Sequence, residues 1–223
     1  VYDRVYNGRT INFEASGGLI HSSLVMQDFE TDSYWAIMTG EAIAGSYKGT
    51  KLIELPVGRK RQWRDWVAEH PETLVLSIGG MEDSRDSYGD YFSSAEGFRG
   101  DRATDRRLKP KAPIFAFRRD GQSYALAHHT VEGGGVFDVG SGQVFLYRPE
   151  RSPMFHSTVA YYVAFGVQRQ DGQWIHPLSG CTFDEEVESF TGSIGCPQLV
   201  SGFDTFWYNW SLNNPATILL GER

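Results

Sequence analysis

Apolar and polar residues alternate along much of the chain. In "RTINFEA" (Arg9 to Ala15), Ile11, Phe13 and Ala15 alternate with Thr10, Asn12 and Glu14, the period of two expected of a half-buried strand. "IFAFRRDGQSYAL" (Ile114 to Leu126) is a pair of β-prone runs around Asp120-Gly121, and this predicts a hairpin because a type I′ turn needs positive φ at both central residues. "VFDVGSGQVFLYRP" (Val136 to Pro149) predicts a second hairpin, turning at Gly-Ser-Gly. "STVAYYVAFGV" (Ser157 to Val167) reads as a buried strand, since it falls short of the about 20 apolar residues that cross a bilayer as a helix. Helical spacing shows in "WRDWVAEHP" (Trp63 to Pro71) and "WYNWSLNNP" (Trp207 to Pro215), where tryptophans three apart share one helix face. Each proline disfavours helical geometry in the residue before it, so each helix should stop there and the chain leave as a strand. The pattern predicts a mainly β fold with short helices, a β-rich α+β class.

The two tryptophan blocks are copies. Trp63, Trp66, Pro71 and Thr73 match Trp207, Trp210, Pro215 and Thr217 at a constant offset of 144. "AGSYKGTKL" (Ala44 to Leu52) matches "TGSIGCPQL" (Thr191 to Leu199) in Gly, Ser and Leu at an offset of 147. "DSYWAIMTG" (Asp32 to Gly40) answers "DGQWIHPLSG" (Asp171 to Gly180), with Trp35 and Trp174 in step. Three collinear blocks predict an internal duplication: a first half over 1–76, a polar connecting segment over 77–113 and a second half over 114–223, related by pseudo-twofold symmetry within one compact unit. Two copies are too few for a solenoid. In each half the tryptophan pair is expected to clamp the core, because large aromatics dominate burial. An exposed aromatic platform is the alternative. "EDSRDSYGD" (Glu82 to Asp90), within the connection, lacks the alternating oxygen ligands and closing Glu of a calcium loop and reads as solvated.

The 223 residues carry 28 acidic and 21 basic side chains, a formal charge of −7 that opposes phosphate neutralisation and argues against nucleic acid as a partner. No transmembrane segment is expected, and Val1 reads as a boundary left by processing or truncation, because the chain opens inside a strand. Cys181 and Cys196 are compatible either with one disulfide or with two free buried thiols.

The blocks "YDRVYNGRTINFEASG", "SSLVMQDFETDSYW", "TGEAIAGSYKGTKL", "DSYGDYFSS", "DRRLKPKAPIFAF" and "FWYNWSLNNPATILL" resemble, in order and over nearly the whole chain, the prokaryotic domain-of-unknown-function family 3179. The resemblance implies two related halves and a periplasmic or cell-envelope location, and it implies no activity. Members commonly carry a Cys-Pro-x-Cys-Gly or Cys-Pro-x-Thr-Gly segment just ahead of the strand that opens this chain, and the sequence here starts after that point.

No nucleophile elbow, P-loop, dinucleotide fingerprint or His-Glu-x-x-His motif occurs. His21 is the one weak metal candidate. It stands near Met26, a pairing that suits copper, yet the two would face opposite ways in a strand. His128 and His129 are adjacent and would likewise diverge in a strand. His70 suits a turn or capping role at the helix end. The carboxylate groups Asp28 with Glu30, and Asp184 with Glu185 and Glu186, read as charged surface in the absence of a cleft. The sequon at Asn209 is discounted because it overlaps the tryptophan helix. The expected function is a non-catalytic extracytoplasmic binding module or accessory subunit with protein partners and no cofactor. The alternatives are a thiol- or metal-dependent redox protein using Cys181, Cys196 or His21, and a carbohydrate-binding module using exposed tryptophans.

Overall fold

The computed structural model describes residues 1–56, 58–77, 79, 88–164 and 166–221. It is mainly β, with four short α-helices among these residues. A two-stranded ribbon, β1 (Val5–Tyr6) and β2 (Arg9–Thr10), precedes an antiparallel meander of β3 (Phe13–Ile20), β4 (Ser23–Asp28), β5 (Tyr34–Ala36) and β6 (Glu41–Ala44). Helices α1 (Trp63–Glu69) and α2 (Gly89–Ser93) follow.

The second half is a stack. Strands β7 (Pro113–Arg119) and β8 (Gln122–Ala127) lead through the one-turn α3 (His128–Val131) into β9 (Gly135–Val139), β10 (Gly142–Tyr147) and β11 (Val159–Val163). Then come β12 (Gln168–Gln170), β13 (Gln173–His176), β14 (Cys181–Asp184), β15 (Ser189–Thr191), β16 (Gln198–Leu199), β17 (Gly202–Phe206), α4 (Trp207–Asn213) and β18 (Ile218–Leu219). The sheets run β17-β7-β8-β18, β16-β11-β10-β9 and β12-β13-β14-β15.

Side-chain alternation explains the layering. Val144 and Leu146 of β10 pack with Phe115, Phe117, Tyr124 and Leu126 of the β7–β8 hairpin, whereas Phe145 and Tyr147 pack with Phe183 and Phe190 of the β12–β15 sheet. Strand β10 is therefore buried on both faces and reads as a continuous apolar run. The opposite face of the hairpin, Ile114, Ala116 and Ala125, receives Trp207 and Trp210 of α4. The first-half meander has its own cluster of Ile11, Trp35, Ala42 and Leu52. It is tied to α4 through Asn209, whose side-chain amide donates to the His21 carbonyl at 3.2 Å and to Ser23 Oγ at 2.7 Å.

Several local expectations hold. Asp120 and Gly121 have φ of 50° and 76° and close the β7–β8 hairpin, and Asp171 and Gly172 (50° and 83°) close β12–β13. The hairpin at Gly-Ser-Gly forms with Val139 opposite Gly142. The strand over Arg9 to Ala15 is broken: the Asn12 N–H turns aside to the Glu30 carboxylate at 3.1 Å, and although Ile11 is buried, Ala15 is exposed. His21 sits in the β3–β4 turn with Ser22, at φ of 49° and 58°, so the strand argument about its direction relative to Met26 does not apply. His128 and His129 are helical, not strand, because the chain enters α3 from an extended Ala127 and is released by Gly133 and Gly134 at φ of 74° and 93°.

Candidate functional site

The two tryptophan blocks fold alike at the backbone level. Both helices end on a similar cap, His70 at φ −130° and ψ 69° and Asn214 at φ −139° and ψ 69°. The cap N–H bonds to the Trp66 or Trp210 carbonyl at 2.8 Å in each, and the Thr73 or Thr217 N–H returns to the cap carbonyl at 3.1 Å. The turn ending at Gly40 or Gly180 is shared too: both glycines have φ of 68°, and their N–H groups bond at 2.9 Å to the carbonyls of Ala36 and His176.

Their surroundings differ. Trp207 and Trp210 are fully buried, and the chain after α4 becomes β18, parallel to β8 with Ile218 opposite Tyr124 and Leu219 opposite Ala125. In contrast, Trp63 and Trp66 are 54% and 40% exposed, α1 buries no residue, and Leu74, Val75 and Leu76 lie outside any strand at 94%, 67% and 93% exposure. The expectation that both pairs clamp a core holds for the second pair alone, since no sheet among the described residues lies under the first.

The exposed element is nonetheless held in shape. Trp66 Nε1 donates to Thr73 Oγ1 at 2.9 Å, and its ring centroid lies 4.2 Å from that of His70. Its root is pinned: the Lys60 N–H bonds to Ser157 Oγ at 2.5 Å, and the Ser157 N–H returns to the Lys60 carbonyl at 3.2 Å. Arg61 and Arg59 reach the buried Glu188 carboxylate at 3.5 and 3.8 Å, and His156 Nε2 meets it at 2.5 Å.

A cleft opens beside this root, between α3, β17 and the loop after β10. Its main body, about 420 Å³, is lined by Lys109, Pro113, His128, Arg148, Ser152 and Met154 among others, and a side arm of about 160 Å³ extends to Lys60, Phe155, Asp204 and Phe206. His128, Pro113 and Met154 line both parts. Asp204 accepts from the Thr158 N–H at 3.1 Å and from Thr158 Oγ1 at 2.8 Å, and stands 3.9 Å from Arg148. The His128 ring is 6% exposed; its Nε2 lies 2.8 Å from Asp204 Oδ1 without aligning as a hydrogen bond, and its Nδ1 has no protein partner. Arg148, 1% exposed, donates to the carbonyls of Pro153 and His156 and so clamps the loop that forms the cleft wall. Burial pushes the Arg148 pKa down, against the pull of Asp204, Glu132 and Glu188.

The residues singled out in the sequence do not converge. Cys181 and Cys196 form a disulfide, which resolves the open alternative. Among the described residues no three His, Cys, Asp or Glu side chains group as metal ligands, and His21 is in a turn on its own. Trp35 donates from Nε1 to Asp28 Oδ2 at 2.7 Å, and Trp174 donates to the Gly133 carbonyl at 3.1 Å. Asp28 is thus a buried structural acceptor, not charged surface. Asp184 caps a turn by accepting from the N–H groups of Glu186 and Val187. Asn209 is buried in the α4 contact, so its sequon is packed inside the fold. Most of "EDSRDSYGD" lies outside the described residues.

Sequence reasoning passed over Asp204, Arg148, Thr158, Glu188 and His156. The available signal was a charge set in apolar runs: Asp204 within "GFDTF" and Arg148 straight after "VFLY". Buried charges need partners, and these two found each other across sheets.

A family model described as a protein of unknown function, DUF3179, matches residues 1–217. No curated protein and no solved structure matches the chain.

Proposed function

The chain belongs to the DUF3179 family, and on that premise we propose that it is a non-catalytic extracytoplasmic binding module whose two halves are repeats and whose first-half tryptophan element receives a partner protein. The observation that carries this reading is the contrast within the repeat. The same helix and cap are buried in the second half and uncovered in the first, and the exit segment pairs with a strand in the second half alone among the described residues. What covers the second copy indicates what fits the first: a β-hairpin that offers small and branched residues to the tryptophans, as Ile114, Ala116 and Ala125 do, and a strand edge to the exit segment, as β8 does. Strand addition supplies affinity through main-chain hydrogen bonds, and pockets for alternate side chains supply specificity. A pinned root and a preformed helix lower the ordering cost of docking. The disulfide between Cys181 and Cys196 suits an oxidising compartment and supports the extracytoplasmic placement.

A peptide copying residues 112–128 serves as a surrogate hairpin. Titrating it into the protein is expected to shift tryptophan emission to the blue as Trp63 and Trp66 leave water, and a Trp63→Ala/Trp66→Ala variant is expected to lose that response. An unchanged spectrum at saturating peptide refutes the reading. So does a longer polypeptide, extended ahead of Val1, that buries both tryptophans by itself.

A further inference from the structure

The cleft beside α3 adjoins the root of α1 at Lys60, but none of the tryptophans lines it. Its floor is a buried histidine in an unusual state of bonding. Nε2 of His128 stands 2.8 Å from a carboxylate oxygen of Asp204 without hydrogen-bond alignment, and the residue lines the cleft. Nδ1 is buried with no protein partner, and Ser152 Oγ, on the cleft wall, is buried without one as well. Buried polar atoms in folded proteins are paired, so two orphans lining one cavity point to a molecule that completes them.

Charge narrows the class of that molecule. Three cations line the two arms: Lys60, Lys109 and Arg148. The two carboxylates, Asp204 and Glu132, both act on Arg148, and Asp204 is further engaged by Thr158. Lys60 Nζ spends one hydrogen on the neutral Asp204 carbonyl at 2.8 Å, and Lys109 has no carboxylate partner among the described residues. The uncommitted charge of the cleft is therefore positive, in a chain whose formal charge is −7. The about 420 Å³ of the main arm is the size of a small-molecule site, and Met154 with Phe155 supply an apolar wall.

We propose that this cleft binds a small oxyanion ligand, a carboxylate or phosphoryl group held by Lys60 and Lys109 and hydrogen-bonded by His128 Nδ1 and Ser152 Oγ. Arg148 is a positioning residue: it holds the loop that carries Ser152 and Met154 and balances Asp204.

The test follows the His128 imidazole resonances by NMR while inorganic phosphate, succinate and glucose are added in turn to the whole protein. Phosphate or succinate is expected to shift them saturably, and whichever binds more tightly identifies the phosphoryl or the carboxylate source. Lys60→Met and Lys109→Met should each weaken that binding at least about tenfold, the scale of one charge-assisted hydrogen bond. Both side chains are exposed, so these variants keep the fold even if His128→Gln does not. No saturable shift with either anion overturns the proposal, and so does glucose binding as tightly as the anions or affinity that is unchanged in both lysine variants.

Discussion

Trp66 and Trp210 occupy matching positions in two similar sequence blocks, so truncating each to alanine measures what the surroundings contribute. Trp210 is fully buried against Ile114, Ala116 and Ala125, and the Arg118 guanidinium lies 4.7 Å from its ring centroid. Trp210→Ala removes this packing and leaves a cavity in a layer that cannot close, at about 3–5 kcal/mol. Its Nε1 is buried with no protein partner, so no hydrogen bond is lost and relief of that desolvation pulls the cost toward the lower end. Trp66 is 40% exposed; it contributes one hydrogen bond to Thr73 and a contact with His70, together about 1 kcal/mol. Urea titrations followed by far-UV circular dichroism, which does not depend on the tryptophans removed, give both values. A Trp66→Ala cost that equals the Trp210→Ala cost would refute the reasoning, because it would mean that α1 is covered by a core of its own.

Reduction of Cys181–Cys196, which closes a separation of 15 residues, is expected to cost about 3 kcal/mol, read as a fall in the urea midpoint with and without reductant. Asp204→Ala leaves Arg148 and His128 without their buried carboxylate and should cost about 3–5 kcal/mol in the same assay. Burial, aided by Glu54, pushes the Tyr2 hydroxyl up to about 12. A folded-state pKa above the unfolded value of about 10 means that the contribution of Tyr2 is complete below pH 10 and lost as pH rises through 12. Tyr2→Phe should therefore flatten the loss of stability across that window in urea titrations, though Tyr91 and Tyr147, also raised by burial, keep part of it.

Local chemistry made much of this fold legible. Asp120-Gly121 specifies its turn because both residues tolerate positive φ, and the proline two residues beyond the last residue of each helix fixes where α1 and α4 stop. Burial was another matter. Trp63 and Trp207 stand in the same local pattern, and whether a hairpin lies beneath is decided by residues about 90 positions away in the chain, as β7 is from α4. The cleft was hidden for a related reason. His128, Arg148, Thr158 and Asp204 come from four separate stretches of the chain, no two of them spaced as a motif, and the neighbours of His128 suggest a strand where two glycines end a helical turn. A charge inside an apolar strand is the one trace that such a network leaves in sequence.

The most direct test of the docking face is amide hydrogen exchange over Thr73 to Ser77, measured on the protein alone and with the 112–128 hairpin peptide bound. The account predicts rapid exchange at Leu74, Val75 and Leu76 in the free protein and strong protection of the same amides in the complex, as strand addition requires. Protection of this segment in the free protein, or its absence when the peptide is bound, would contradict it.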